Sequence, residues 1–392
     1  MKTSSFNTLI VAIIVSIFCI SCEKINETVP VAECRKGDTN HPRASRYQKM
    51  IDDLLKTGVT GVSATVISPE GTWSLSGGKA DLGNNVPVTP CHTLRIGSIS
   101  KLFTSVTILK LQEEGVLNIN DKLTKYIPER ITKEIANANE VTLKQLLNHT
   151  SGIPEYLGLN TILNILNLSV AKKSAEESLH FIYGQKADFE PGKGQNYSNS
   201  NYLLLSLVIQ YATGKSAYQV VTEKVIRPLR LENTFADTKL PATLIRGYYD
   251  TFDNDFMKDL TEIDNAAVGG EGMLDGGLIS NSYDLATFLH TLKTGQVLTA
   301  SSMAQFENFI DITQELPDDL KYIKQYGLGL MKIETDHGVG VGHSGHVHCF
   351  WGTVYHFPQQ KVTVAVLTNG YSTKIRKALE SKNLFNYLFE DK

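Results

Sequence analysis

The amino-acid sequence predicts an α/β chain of the α+β kind: one antiparallel sheet built from both chain ends, flanked by helices, with a helical subdomain beside it. Three observations predict it. Apolar residues alternate with period two near the start, at Val62, Ala64 and Val66, and strand-like runs return in the last third. Between these ends, from Ser98 to about Asp250, the pattern is mostly helical. Strands at both termini with helices inserted between them combine most simply as one sheet, and the cleft between sheet and helices is the default site.

The chain starts with Lys2, an apolar run from Leu9 to Ile20, and Ser21-Cys22. A run of about a dozen apolar residues falls short of the roughly 20 that a spanning helix needs, so it reads as a secretory signal. The small residue before Cys22 resembles a bacterial lipoprotein cleavage site, although Cys19 stands where leucine is usual. The expectation is a signal peptide over 1–22, lipidation at Cys22, a polar tether over 23–44 and one folded domain over 45–392. An acyl chain on Cys22 would attach the exported protein to a membrane of the bacterial cell envelope, on its periplasmic or outer face, without spanning it. Cys34, Cys91 and Cys349 then remain, enough for one disulfide, and Cys34 with Cys91 is the first pairing to test.

Met50, Ile51, Leu54 and Leu55 form a helical stripe that stops at Gly58. The alternation at Val62–Val66, the turn Ser68-Pro69-Glu70-Gly71 and then Trp73 and Leu75 make a β-hairpin. Leu102, Val106 and Leu109 place a helix after Ser98 that ends near Gly115. Thr142-Leu143-Lys144-Gln145 is a capping-box pattern, broken by turn residues from Asn148 to Pro154. Helices are expected over Asn201–Ala212 and Asp284–Leu292, strands around Gly329–Ile333, His346–Phe357 and Val362–Thr368, and an amphipathic helix over Lys374–Phe389.

A formal net charge of −3 and a pI near 6.4 leave no basic footprint for nucleic acid. No Cys-x-x-Cys pair suggests zinc. His343, His346 and His348 invite a metal reading, but in a strand His343 faces away from the other two, so no metal and no cofactor are expected. Loop glycines at 270, 272, 276 and 277 lack the company of a phosphate-binding motif.

The chemistry-bearing residues begin with Ser98 and Lys101. Three residues apart on a helix they share a face, so a nucleophile stands beside a potential base. The spacing alone proves little, because it recurs at Ser21/Lys24, Ser76/Lys79 and Ser169/Lys172. Partners come later in the chain. Tyr197-Ser198-Asn199 is the one Tyr-x-Asn among sixteen tyrosines, a phenol able to relay a proton beside an amide able to hold a lysine and a carbonyl. His343-Ser344-Gly345 leads into a strand, where Gly345 would admit a substrate close to the backbone. His149 sits in a turn that can satisfy it locally and reads as structural.

Ser-x-x-Lys, then Tyr-x-Asn, then His-x-Gly before a late strand is an order that resembles the serine β-lactamase-like family, which includes D-alanyl-D-alanine carboxypeptidases, class C β-lactamases and related esterases and amidases. Flanking segments match too: Leu146-Leu147-Asn148-His149-Thr150-Ser151-Gly152-Ile153-Pro154, Tyr197 to Tyr202, Pro228-Leu229, Gly276-Gly277-Leu278, Tyr326-Gly327-Leu328-Gly329 and Leu367-Thr368-Asn369-Gly370. The resemblance runs from about residue 45 to the C-terminus and makes 45–392 the catalytic domain, with the β-lactamase/transpeptidase-like fold.

It implies a two-step acyl transfer on a small peptide or ester. Ser98 would attack, with Lys101 as neutral amine or Tyr197 as phenolate taking its proton, and Asn199 would orient Lys101 and substrate. The oxyanion hole would be the backbone N–H groups of Ser98 and His346, with Ser344 and Gly345 binding substrate. His343 stands where class C β-lactamases usually have lysine, and because a histidine is only partly charged near neutral pH and binds a carboxylate less firmly, it tilts the expectation from antibiotic hydrolysis toward peptidase or amidase work; the activity expected first is D-Ala-D-Ala carboxypeptidase-type cleavage of peptidoglycan peptides. Esterase, D-amino-acid amidase or β-lactamase activity is the alternative on the same scaffold. A non-catalytic lipoprotein that binds cell-wall peptides is the alternative of another class. Cys349 stands where related sequences often have glycine, so it would narrow the pocket or pair with another cysteine.

Overall fold

A computed structural model describes residues 28–31, 41–158 and 172–390. Its centre is a nine-stranded antiparallel sheet. The N-terminal hairpin supplies β1 (Gly61–Ser68) and β2 (Gly71–Asp81), and β3 (Val86–Pro87) lies at its edge. The last third supplies β4 (Ile310–Asp311), β5 (Ile323–Tyr326), β6 (Met331–Thr335), β7 (Gly338–Val347), β8 (Phe350–Phe357) and β9 (Val362–Asn369). The order across the sheet is β3-β2-β1-β9-β8-β7-β6-β5-β4. The two ends of the chain therefore meet at β1 and β9, with Val62 opposite Thr368 and Ile67 opposite Thr363.

Period-two alternation sorts the strand residues into two cores. Val362, Val364 and Val366 of β9 join Val62, Ala64 and Val66 of β1 in a core closed by Tyr47, Met50, Ile51 and Leu54 of α1 (Ala44–Lys56). Ala365 and Leu367 face the other way, into the core shared with the helices inserted between the strands. Those helices include α2 (Ser100–Glu113), α3 (Leu143–Leu147), α4 (Ser200–Thr213) and α5 (Ser282–Lys293). The capping box opens α3 as expected, and Gly214, in the left-handed region at φ 69°, stops α4. Helix α2 departs from the amphipathic stripe that its sequence suggests. Every residue from Ser100 to Leu109 is buried, so α2 runs through the interior with neighbours on all sides.

Three other expectations change. His343-Ser344-Gly345 lies within β7 and not before a strand, and the expected run from His346 is interrupted by a turn at His348-Cys349. The C-terminal amphipathic helix is broken into Thr373–Leu379, a 3-10 turn at Lys382–Phe385 and Asn386–Phe389. Cys349 is a free buried thiol packed on Gly247, where an added Cβ would come within 2.6 Å of it, so it neither pairs nor narrows a pocket. Cys91 is disulfide-bonded. Cys22 and Cys34, and most of the expected tether, lie outside the described residues; within it, Val29 N–H donates to Ala242 O at 3.4 Å, against the body of the domain. Among the described residues no helix is long and apolar enough to cross a membrane.

What positions the site is a contact between two backbones. The chain leaves a short ladder, Leu94–Arg95 with Ile279–Ser280, and is held there by Arg95, whose guanidinium donates to Asn265 Oδ1 and Gly277 O. It then makes a 3-10 turn at Gly97–Ile99 before α2. Strand β7 lies directly on that turn. A Cβ on Gly345 would sit 2.1 Å from Ile96 O and 2.8 Å from Ser98 N, and one on Gly97, at φ 51°, would sit 2.7 Å from His346 N. Glycine at 345 thus serves the approach of the strand to the Ser98 turn. Gly345→Ala is expected to destabilise the fold by about 1–3 kcal/mol, as overpacking does, and to open the gap between Ser98 and His346. A melting temperature within a degree of the parent protein would show that the contact is slack.

Candidate active site

Ser98 occupies the middle of the 3-10 turn, not the first turn of α2, and Lys101 is the second residue of α2. The tighter turn still brings the pair together: Lys101 Nζ lies 3.0 Å from Ser98 Oγ. The amine has two further acceptors, Asn199 Oδ1 at 2.7 Å and the Asp275 backbone carbonyl at 2.6 Å. Lys101 is fully buried. Burial pushes its pKa down to about 8, against the opposing pull of Asp275 and Glu155.

Tyr197, two residues before the Asn199 cap of α4, lies over the same amine, with Lys101 Nζ 4.9 Å from its ring centre. Burial drives its phenol well above the ordinary range, and Ser98 is the neighbour that offsets part of that rise. Its buried hydroxyl completes no full hydrogen bond among the described residues. The ring packs on His149 at 4.3 Å. His149 Nδ1 accepts from Ser198 N–H and Asn201 Nδ2, so the imidazole is a neutral wedge that fixes the Tyr197 loop, as its structural reading expects.

Glu155 went unread in the sequence. Its Oε2 accepts both the backbone N–H of Asn199, at 2.7 Å, and the Asn199 side-chain Nδ2, at 3.0 Å. With Nδ2 held on that side, Oδ1 must face Lys101. Asp275 was missed as well. It receives the Tyr156 hydroxyl at 2.9 Å, and its carboxyl, like that of Glu155, is raised by burial. The only signal for Glu155 was an acidic residue just after Pro154, which ordinary turn chemistry explains equally well.

His343 is fully buried. Its Nδ1 donates to Ser344 O at 2.5 Å and its Nε2 accepts from Tyr326 OH at 3.0 Å. Burial lowers its pKa to about 3. The expected partial charge is therefore absent at neutral pH, and His343 is no cationic partner for a carboxylate. His346 presents its backbone to Ser98. The hairpin joining β7 to β8 has a two-residue loop closed by the pair Val347/Phe350, so the next pair, His346/Trp351, falls at the alternate, non-bonded position of the ladder. That leaves the His346 N–H directed away from β8.

Beside Ser98 opens a cavity of about 300 Å³. Tyr197, His343, Ser344, Gly345 and His346 line it, so the structure gathers the residues that the sequence singled out around one space. The segment after β4 forms another wall, pinned where Gln314 Oε1 accepts the Tyr197 N–H at 3.2 Å and Thr313 bonds the Gln195 backbone at 3.1 Å. Among the described residues no group of side chains could hold a metal ion.

A family model described as Beta-lactamase matches residues 47–383. This chain belongs to the β-lactamase family. Penicillin-binding protein 4* of Bacillus subtilis (strain 168) is 26% identical over 335 residues, covering 81% of this chain and 71% of that protein. Protein flp of Staphylococcus aureus (strain NCTC 8325 / PS 47) is 32% identical over 183 residues, 46% of this chain. The aligned part spans 36% of the flp protein's length. Among solved structures, a D-stereospecific amidohydrolase from Streptomyces sp. superposes with a TM-score of 0.71 at 26% identity, over 86% of this chain and 98% of that one. D-amino acid amidase from Ochrobactrum anthropi SV3, complexed with L-phenylalanine, shares the fold at a TM-score of 0.75 and 23% identity, over 88% and 96%. The matched span, 47–383, contains Ser98, Lys101, Tyr197, Asn199 and His343, so the site lies within the family's part of the chain.

The clamp on Asn199 has a direct test. Glu155→Ala leaves two N–H groups without their acceptor, and unpaired buried donors cost about 1–3 kcal/mol each. The variant is expected to unfold at lower denaturant than the parent protein with an unchanged slope. An unchanged midpoint would show that water replaces the carboxylate at no cost.

Proposed function

We propose that this chain hydrolyses peptide, amide or ester bonds through an acyl-enzyme on Ser98, with Lys101 as the base. The observation that carries the proposal is the buried Lys101 amine 3.0 Å from Ser98 Oγ. An amine whose pKa is about 8 is neutral in roughly a tenth of molecules at pH 7, a few hundred times more than an ordinary lysine. Tyr197 moves the other way, since burial disfavours its phenolate, and this supports Lys101 as the base and Tyr197 as a neutral relay.

The Ser98 Oγ–H proton passes to Lys101 while an Oγ–C bond forms at the substrate carbonyl. The backbone N–H groups of Ser98 and His346 receive the negative oxygen. The C–N or C–O bond then breaks, and the leaving group departs with a proton through the Tyr197 hydroxyl, which Lys101 restores. Water adds to the acyl carbon, gives its proton to Lys101, and the Oγ–C bond breaks as Ser98 regains a proton. Asn199, fixed by Glu155, keeps the Lys101 amine on Ser98.

For the substrate, the relatives support a bond next to a D-residue. Carboxypeptidase-type cleavage of D-Ala-D-Ala peptides draws on the resemblance carried by the Ser-x-x-Lys, Tyr-x-Asn and His-x-Gly order. The D-stereospecific amidohydrolase supports an amide instead. Attachment to the cell envelope through lipid on Cys22 rests on the apolar run Leu9–Ile20 and the Ser21-Cys22 junction.

One experiment tests these points together. Cells producing the full chain are treated with a neutral alkyl fluorophosphonate, fractionated, and the protein is analysed by intact mass. An adduct on Ser98 in the membrane fraction is expected; Ser98→Ala should lose it and Lys101→Ala should form it about 10²–10⁴-fold more slowly, the usual worth of a positioned base. Cys22→Ala should move the labelled protein to the soluble fraction. Lys101→Ala labelled at the parental rate would remove the base assignment, and labelled Cys22→Ala still in the membrane would remove the lipid.

A further inference from the structure

The cavity beside Ser98 bears on what the substrate is; this step rests on the acyl-enzyme reading above. Its wall is largely apolar, formed by Ile312, Leu316, Leu320, Ile323, Met331 and Trp351. Among the described residues that line it there is no lysine or arginine. Its one carboxyl is Glu380, which accepts from the Tyr371 hydroxyl at 2.9 Å and from Arg376 at 3.1 Å. Arg376 is not a spare cation, because its guanidinium is divided between Glu380 and Asp319, 3.3 Å away. Both nitrogens of His343 are engaged, by Tyr326 and by the Ser344 carbonyl. His346 stacks its ring on Tyr371 at 4.0 Å, and desolvation lowers its pKa to about 4, so it too is neutral at pH 7.

A carboxylate entering this space would shed its water without meeting a cation on its walls, and would meet Glu380 instead. An apolar group would lose unfavourable hydration on the same walls. We infer that the substrate group seated in this cavity is apolar and bears no carboxylate, so that D-amino-acid amides, blocked peptides or simple esters are turned over ahead of peptides ending in a free D-alanine carboxylate. The proposal deepens the amidohydrolase side of the functional reading and runs against the carboxypeptidase side.

The test uses the full chain and two fluorophosphonates of equal length, one ending in a methyl group and one in a carboxylate, with the rate of Ser98 labelling read by intact mass at pH 7. The neutral probe is expected to react at least ten-fold faster. Equal rates, or a faster carboxylate probe, overturn the inference. Leu316→Arg, which adds a cation to the wall, and Glu380→Gln, which removes the acid, are each expected to narrow the ratio at least three-fold. An unchanged ratio in Glu380→Gln, a near-isosteric variant, would overturn the electrostatic cause even where Leu316→Arg fails to fold. Folded protein that neither probe labels would instead overturn the Ser98 acylation on which the inference stands.

Discussion

The burial of Lys101 is the constraint on which the rest of the site depends. A lysine in water holds its proton at neutral pH and is useless as a base. Here the amine is enclosed between α2, the Tyr197 loop and the Asp275 segment, and desolvation outweighs the attraction of Asp275 and Glu155 for its charged form. A pKa near 8 in place of 10.5 corresponds to roughly 3 kcal/mol moved toward the neutral amine. Enclosure alone would leave the amine unpaired. As an ammonium its three protons have three acceptors, Ser98 under the strand laid on its turn, Asn199 held by Glu155, and the Asp275 backbone carbonyl; as a neutral amine its lone pair can accept the Ser98 Oγ–H.

The same enclosure explains why the helix carrying Lys101 looks wrong for its surroundings when read alone. The pattern Leu102, Val106, Leu109 marks a helix by one apolar stripe. In the fold Ser100, Thr104, Ser105 and Thr107 are buried too, their hydroxyls answered locally or by partners such as Leu274 O and Tyr202 OH. Small polar residues let neighbouring segments come close without a bulky side chain between them. A periodicity count cannot see that, because it scores a hydroxyl as polar whether it faces water or a carbonyl.

The elements fixed by local rules were therefore the legible ones. The N-terminal hairpin, the capping box at Thr142, the stop at Gly214 and the meeting of the two chain ends follow from alternation, caps and turn residues. So did Ser98, Lys101, Tyr197 and Asn199, whose spacing resembles a known family and which the fold brings together. Glu155 and Asp275 carried no such pattern, since their meaning comes from a long-range approach to Lys101. The charge on His343 was misjudged for the same reason: residue type names an imidazole, but burial and the two bonds to Tyr326 and Ser344 decide its protonation. Gly345 was legible as a site of close approach, but the backbone that approaches it is that of Ile96 and Ser98.

A neutral His343 beside an apolar wall also separates two properties that family resemblance tends to merge. In the proposed reaction acyl transfer rests on Ser98, Lys101 and Tyr197, whereas the proposed preference for one acyl or leaving group rests on the segment after β4, on Met331 and on Glu380, which line the cavity. The proposed acyl transfer rests on the lysine being neutral when it takes the Ser98 proton. Its titration can be followed directly, by NMR of the chain labelled with carbon-13 at the lysine ε position, with Lys101→Ala identifying the signal. The account predicts one lysine resonance titrating near pH 8; a Lys101 that titrates with the rest, near the ordinary value of about 10.4, would contradict it.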